Sequence, residues 1–334
     1  MNNSRIPAKK SRKLIHFFSL GMLICIGLGI LVSCFEQPTI PLLVGVNNWP
    51  GFAPLYLAEE LGYYQNTSID IVDYPSTTEV SNALRSGNLQ AGGMSIDENL
   101  ILAETFPEVR AIMLIDVSNG ADVIIGKPEL QTLADIKGKK VGVENTALGA
   151  YILSRALDKA GLSLQDITVV SLDFSEHEAG FKQGEVDAVV TFEPVRSNLL
   201  ATGAKVLFDT TKIPGEVVDV LVVRQDTLET QSKDLEQLVR GWFMALDYLK
   251  KEPENAAKIM ARRGGITAKE FLDSLKLLSF FTPTENQKLL SQTDPSMVNS
   301  ANKLSKLMQE KKLLQSNIDF SSLLDARFFT QLNQ

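Results

Sequence analysis

Cysteine and histidine are scarce in this chain, with two of each among 334 residues. Cys25, Cys34 and His16 all lie near the N-terminus, which leaves His177 as the one imidazole of the remainder. Disulfides, cysteine nucleophiles and multi-histidine metal sites are therefore excluded from residues 35–334. These absences predict a protein that is not an enzyme and that has no metal, no cofactor and no catalytic residues.

Acidic residues are absent from the N-terminal segment, which has the order of a secretory signal. Five basic residues precede an uncharged apolar run over 14–32, and the segment ends in Leu31-Val32-Ser33-Cys34. This ending resembles the bacterial lipobox, which implies cleavage before Cys34 and a lipid on that cysteine. We predict a signal peptide at 1–33, a lipidated tether at 34–41, and an extracytoplasmic protein anchored to a bacterial membrane. The run is also long enough for an uncleaved anchor, which would hold the chain on the same side.

Basic residues become a minority once residues 1–33 are removed. The five charges removed are all positive, so the remainder holds 28 basic and 40 acidic residues and has a net charge of −12. Nucleic acids and anionic lipid surfaces are bound by clustered lysine and arginine. We therefore expect no nucleic-acid partner, and a membrane contact that depends on the lipid anchor.

Low-complexity linkers are absent as well, and short strands alternate with amphipathic helices from residue 42 onward. Such alternation predicts an α/β fold built from βαβ units. The predicted strands lie at 42–46, 69–72, 91–94, 111–115, 123–125, 140–144, 167–171, 188–191, 205–208 and 218–223. The pattern then becomes helical to the end, through 235–249, 254–262, 269–278 and 297–307.

Three segments resemble one known family, and they occur in its order. Gly45–Tyr64, Leu133–Glu144 and Gly184–Pro194 are similar to segments of the nitrate/sulfonate/taurine-type solute-binding lipoproteins of ABC importers, in the NMT1/Thi5-like superfamily. The resemblance implies a monomer that binds a small molecule and delivers it to an ABC permease and its ATPase.

The same resemblance implies a two-lobed periplasmic-binding-protein fold of type II. Each lobe would be a mostly parallel sheet flanked by helices, with the ligand held between lobes that close over it. Lobe 1 would comprise 42–122 and 221–334, with the extra C-terminal helices packed on it, and lobe 2 would comprise 123–220.

Lysine and arginine are missing from the predicted strand ends, where such a fold holds its ligand. An anion surrounded by several unpaired carboxylates would be costly to bind, whereas a cation gains ion pairs and the face of an indole. The sequence therefore predicts a cationic amine or an amino-heterocycle as ligand. The candidate ligand-binding residues are Asn48, Trp49, Ser95, Glu98, Asp122, Glu144, Thr146, Glu193 and Asp219.

Structural explanations exist for some of these residues. Ser95 or Asp97 can cap the helix that follows, Glu193 can start a helix with its neighbouring proline, and His177 is expected at the surface. Two functional alternatives also stand: a sulfonate, taurine or nitrate binder of the same fold, and a ligand sensor that contacts a membrane receptor.

Overall fold

The computed structural model describes residues 40–65 and 67–329. The predicted signal peptide, Cys34 and nearly all of the predicted tether lie outside these residues. Residues from Pro41 onward form one compact unit. Within the described ranges, no helix is both long and apolar enough to cross a bilayer.

The described strands form two sheets, which confirms the α/β prediction. The strands of the first sheet are β1 (Leu42–Val46), β2 (Ile69–Asp73), β3 (Ala91–Ser95), β4 (Val109–Ser118), β10 (Val218–Arg224) and β11 (Leu278–Phe280). Those of the second are β5 (Val123–Gly126), β6 (Lys140–Val143), β7 (Thr168–Ser171), β8 (Ala188–Thr191) and β9 (Lys205–Asp209). The first sheet has the order β11-β4-β10-β3-β1-β2, and the second has the order β7-β6-β8-β5-β9.

Helices connect the strands and cover the sheets. The helices before β10 are α1 (Ala53–Glu60), α2 (Thr77–Ser86), α3 (Ile96–Thr105), α4 (Ala147–Ala160), α5 (His177–Gln183) and α6 (Val195–Leu200). The helices after it are α7 (Gln225–Thr230), α8 (Ser232–Lys251), α9 (Pro253–Gly264), α10 (Ala268–Leu275), α11 (Pro283–Leu290) and α12 (Ser296–Glu310).

Most strands of each sheet run in the same direction, as predicted, and each sheet also contains antiparallel pairs. β1 pairs in parallel with β2 and β3, and β6 with β7 and β8. β10 is antiparallel to β3 and β4, and β5 is antiparallel to β8 and β9. β5 and β10 are the strands that follow a crossing from one sheet to the other. Each therefore begins at the edge where its neighbours end.

Two short passages of chain cross between the sheets, at 119–122 and at 210–217. Hydrogen bonds join them: Gly120 N donates to Thr210 Oγ1 over 2.7 Å, and Thr210 N donates to Asp122 O over 3.1 Å. The hydroxyls of Ser118 and Thr210 lie 2.8 Å apart. The first sheet takes up the chain again at Val218, so the predicted lobe boundary at residue 221 falls inside β10.

Each sheet has its own hydrophobic core. In the second sheet, Val123 and Ile125 face one core while Ile124 faces the other, as expected for a strand covered on both faces. The core of the first sheet also contains residues of the helices that follow β10, such as Trp242 and Met260. The C-terminal helices therefore pack on the first sheet, as predicted.

One predicted helix end is wrong. Residues 278–280 form β11, which pairs antiparallel with Asp116–Ser118 of β4, because the outer edge of β4 needs a hydrogen-bonding partner.

The helices α7 and α11 were not predicted. Asn286 of α11 holds the middle of β4: its Oδ1 accepts from Leu114 N over 2.7 Å, and its Nδ2 donates to Leu114 O over 3.0 Å.

Candidate functional site

Strand ends of both sheets meet around one cleft. In the first sheet, β1 leads into Asn47 and Trp49, and the start of β10 places Asp219 opposite Ser95 at the end of β3. In the second sheet, β8 ends at Thr191, which lies opposite the start of β5. Polar residues distant in the sequence therefore gather at this edge, as expected where strand ends converge.

Two adjoining recesses of about 40 and 20 Å³ form this cleft, which we call the acidic cleft. Both are lined by Asn47, Thr77, Glu98, Asp122, Leu148 and Phe192. The first recess adds Glu144, Thr146 and His177, and the second adds Trp49, Ser95 and Asp219, among others. Among the described residues that line either recess, none is lysine or arginine.

The structure brings most of the predicted site residues together. Those that line the acidic cleft are Trp49, Ser95, Glu98, Asp122, Glu144, Thr146 and Asp219. Asn48 and Glu193 lie in an adjoining recess, which shares Asn47 and Trp49 with the acidic cleft and is also lined by Arg263. Within the described ranges, no group of three histidine, cysteine or acidic residues could hold a metal ion.

Ser95 and Glu98 form a capping box at the start of α3. The backbone N and the Oγ of Ser95 both donate to Glu98 Oε2, over 3.4 and 3.1 Å. Burial and the neighbouring Asp97 nevertheless raise the pKa of Glu98 from 4.5 to about 8. Asp97 has 1% exposure, and its Oδ2 has no hydrogen-bond partner among the described residues; burial raises its pKa to about 6.

Asp122 and Asp219 are buried where the chain crosses between the sheets. Asp122 has 2% exposure, and no residue that the structure describes forms a hydrogen bond with its Oδ2. Burial and, to a lesser extent, the charge of Asp97 raise its pKa to about 7. Burial and the nearby acids, Asp116 first, raise the pKa of Asp219 well above its ordinary value. Across the cleft, burial and Asp173 raise the pKa of Glu144 to about 7. Glu98, Asp122 and Asp219 are therefore held close together with few compensating partners.

Asp116 lies behind the cleft and anchors Trp49. The indole Nε1 donates to Asp116 Oδ2 over 3.2 Å, while Asp116 Oδ1 has no hydrogen-bond partner within the described ranges. Gly51 makes this contact possible, because a Cβ at that position would lie 1.9 Å from Asp116 Oδ2. Trp49 was predicted, but its carboxylate partner was not, because Asp116 lies inside the long strand β4.

Aromatic rings form the wall opposite the acids. Phe192 of the second sheet stacks on Phe174 at 4.3 Å and 9°, and the edge of Trp49 from the first sheet meets Phe192 at 5.6 Å and 72°. Trp49 and Phe192 thus touch across the cleft. Phe192 belongs to the Gly184–Pro194 motif, but the sequence predicted only its neighbour Glu193 as a ligand contact.

His177 is buried with 1% exposure, so its predicted surface position is wrong. Its Nε2 lies 3.3 Å from Leu172 O, a group that can only accept, so Nε2 carries the proton. Nδ1 therefore accepts from the Thr191 hydroxyl over 3.2 Å. Burial lowers the pKa of His177 to about 4. The sequence contained an indication of this burial, because His177 is spaced three and four residues from Gly180 and Phe181, with which it shares the buried face of α5.

Glu193 acts at the start of α6. Its carboxylate accepts from Arg196 Nη1 over 3.1 Å, from Ser197 N over 3.1 Å and from Ser197 Oγ over 3.0 Å. Both carboxylate oxygens of Glu193 are therefore bonded within α6, in agreement with the prediction that Glu193 can start a helix.

Thr146 likewise caps α4, because its Oγ1 accepts from Gly149 N over 3.1 Å, yet it also lines the cleft.

Comparisons with known proteins agree with this architecture. A protein of Haemophilus influenzae named for thiamine biosynthesis is 25% identical over 252 residues, 73% of this chain and 78% of its own length. A protein of Escherichia coli K12 named for binding aliphatic sulfonates is 29% identical over 153 residues, 45% of this chain and 48% of its own length.

Solved structures share the fold. The alkanesulfonate-binding protein of Xanthomonas axonopodis pv. citri, bound to MOPS, superposes with a TM-score of 0.74 at 20% identity, covering 87% of this chain and all of that one. A desulfurization enzyme also superposes, with a TM-score of 0.65 at 14% identity over 86% of this chain and 97% of its own. Residues 49–256 match the family described as NMT1/THI5 like. The chain belongs to the NMT1/THI5-like family.

Proposed function

We propose that this chain is the extracytoplasmic solute-binding component of an ABC importer, and that its ligand is an organic cation. Family membership, the sulfonate-binding relative and the fold of the solved binding proteins support the general role. Neither the family match nor the relatives' names favour the sensor alternative. The observation that supports the ligand class is the acidic cleft, which contains Glu98, Asp122 and Asp219 and has no lysine or arginine among the described residues that line it.

Carboxyls in the cleft would oppose an anionic ligand whenever they are ionised. A sulfonate would lie among carboxyls whose oxygens include the unpartnered Asp122 Oδ2. Burying like charges together costs several kcal/mol unless cations compensate them. A cation would pair with the same carboxylates and would also face the aromatic wall of Trp49 and Phe192.

Binding would require the two sheets to move apart and close again. The recesses have room for only a few water molecules, since a water needs about 10–15 Å³. A ligand that contacts residues of both sheets favours the closed arrangement in proportion to its differential affinity. A closed cleft without a ligand would keep its carboxyls protonated, and a bound cation would replace those protons.

A role without catalysis is supported by the chemistry of the cleft, although the same fold also occurs in an enzyme. No cysteine follows Cys34 in the sequence. Both ring nitrogens of His177 are hydrogen-bonded within the protein, so the imidazole is committed to holding Thr191 and Leu172.

The pH dependence of binding tests the ligand class. Choline is a suitable probe because its charge does not titrate. Calorimetric titration of the purified full-length chain should show choline affinity rising between about pH 6 and pH 8, by up to tenfold per pH unit for each proton released. Taurine and MOPS should bind weakly or not at all.

Matched variants assign the effect to the acidic cleft. Glu98→Gln and Asp219→Asn should weaken choline binding by about tenfold or more, since each removes one negative charge that faces the ligand. Glu79→Gln on the exposed side of α2 should leave it unchanged. Tight binding of taurine or MOPS that strengthens as the pH falls would refute the cationic ligand.

A further inference from the structure

A second, larger cavity lies apart from the acidic cleft. Its volume is about 330 Å³, and none of its lining residues lines either recess of the cleft. This size falls within the range of small-molecule sites, roughly 300–1,000 Å³. Its walls are formed by α4, by residues 214–218 where the chain returns to the first sheet, and by α12.

One wall of this cavity is apolar. Met297, Ala301 and Leu304 recur along α12 at the spacing that places side chains on one face of a helix. Ile96 and Val218 also line the space. Ala301 and Leu304 are almost fully buried, and the little surface that they leave open lines the cavity. Such a wall suits an alkyl or aryl body, which gains about 25 cal/mol for each Å² buried.

The polar lining carries one positive charge in excess. Arg155 Nε and Nη2 donate to the two oxygens of Glu216 over 2.7 and 2.9 Å, and the Tyr151 hydroxyl donates to the same carboxylate over 2.5 Å. Arg155 and Glu216 therefore neutralise each other. Lys303 lines the cavity and is exposed, and the ion pairs of the described residues do not include it. Its ammonium group is thus available to an anionic partner.

We propose that this cavity binds an amphiphilic monoanion. The apolar body lies against Ala301 and Leu304 of α12, and the anionic head pairs with Lys303. The site is distinct from the acidic cleft and takes a ligand of opposite charge. This proposal therefore does not depend on the proposed importer function.

Calorimetric titration of the full-length chain with sodium octanoate tests this proposal, with 1-octanol as the uncharged analogue. Octanoate should bind the unaltered protein at least about tenfold more tightly than 1-octanol. Lys303→Glu should weaken octanoate binding by about tenfold or more. Lys306→Glu changes an exposed lysine of the same helix outside the cavity, and it should have no effect.

A second variant tests the apolar wall without altering charge. Ala301→Leu places a larger side chain in the cavity and should weaken octanoate binding, whereas Asp70→Asn at an exposed position of β2 should not. The proposal is overturned if octanoate fails to bind, if 1-octanol binds equally well, or if Lys303→Glu and Lys306→Glu behave alike. The midpoint of thermal unfolding of unliganded Lys303→Glu serves as the check that this surface variant is folded.

Discussion

Replacing Asp116 by asparagine should make the stability of the protein less dependent on pH. Asp116 has no solvent exposure, and burial raises its pKa from 3.8 to about 8. In the unfolded chain the same carboxyl ionises near its ordinary pKa of about 3.9. Between these two values the folded protein holds a proton that the unfolded chain has lost. The free energy of unfolding therefore falls as the pH rises, by at most about 1.4 kcal/mol per pH unit for this one group.

Asparagine has nearly the same shape as aspartate but cannot ionise. Asp116→Asn keeps an oxygen acceptor for Trp49 Nε1, so the indole can remain in place. Urea unfolding followed by circular dichroism gives the free energy of unfolding at several pH values. Between about pH 5 and pH 7, the variant should lose up to about 2.8 kcal/mol less stability than the unaltered protein.

The matched control for this experiment is Asp70→Asn, at an exposed position of β2. It should leave the pH dependence of stability as it is in the unaltered protein. The other buried carboxyls of the cleft keep their own contributions, so the slope of Asp116→Asn should be reduced rather than abolished. Equal slopes for Asp116→Asn and the unaltered protein would refute the inference that burial holds this carboxyl protonated.

Three further predictions follow from contacts elsewhere in the fold. Asn286→Ala should destabilise the protein by about 2–4 kcal/mol in urea unfolding, because it leaves both backbone groups of Leu114 without their buried partners. His177 should show the Nε2–H tautomer by nitrogen NMR, with no titration between about pH 5 and pH 8, because burial lowers its pKa to about 4. Glu216→Ala should cost about 1–3 kcal/mol because Arg155 loses a two-fold hydrogen-bonded ion pair, and Glu216→Gln should recover part of that loss.

The strands were predictable from the sequence because each is a short apolar run between polar breaks. β1, for example, is Leu42–Val46, as predicted, since burial on both faces demands continuous apolar residues. β11 was not predictable in the same way. Leu278-Ser279-Phe280 continues a helical pattern, and only the unpaired edge of β4 makes it a strand.

The acidic cleft was partly predictable because strand ends meet at one edge of a sheet. This reasoning located Glu98, Asp122 and Asp219, which come together although they are distant in the sequence. It could not say which way a side chain turns after a strand ends. Phe192 turns into the cleft, whereas Glu193 turns to cap α6, and that choice depends on Arg196 and Ser197 as local partners.

The route of the chain between the sheets also dictates the order in which they can be completed. All strands of the second sheet lie within residues 123–209, between the β4 and β10 strands of the first. β10 stands in the middle of the first sheet, between β4 and β3, so that sheet cannot close before residues 218–224 are available. As the chain emerges from the ribosome or a translocation channel, the second sheet can fold first, as domains tend to do during synthesis. Until β10 arrives, the long edges of β3 and β4 remain unpaired, which makes this interval the one most exposed to misfolding.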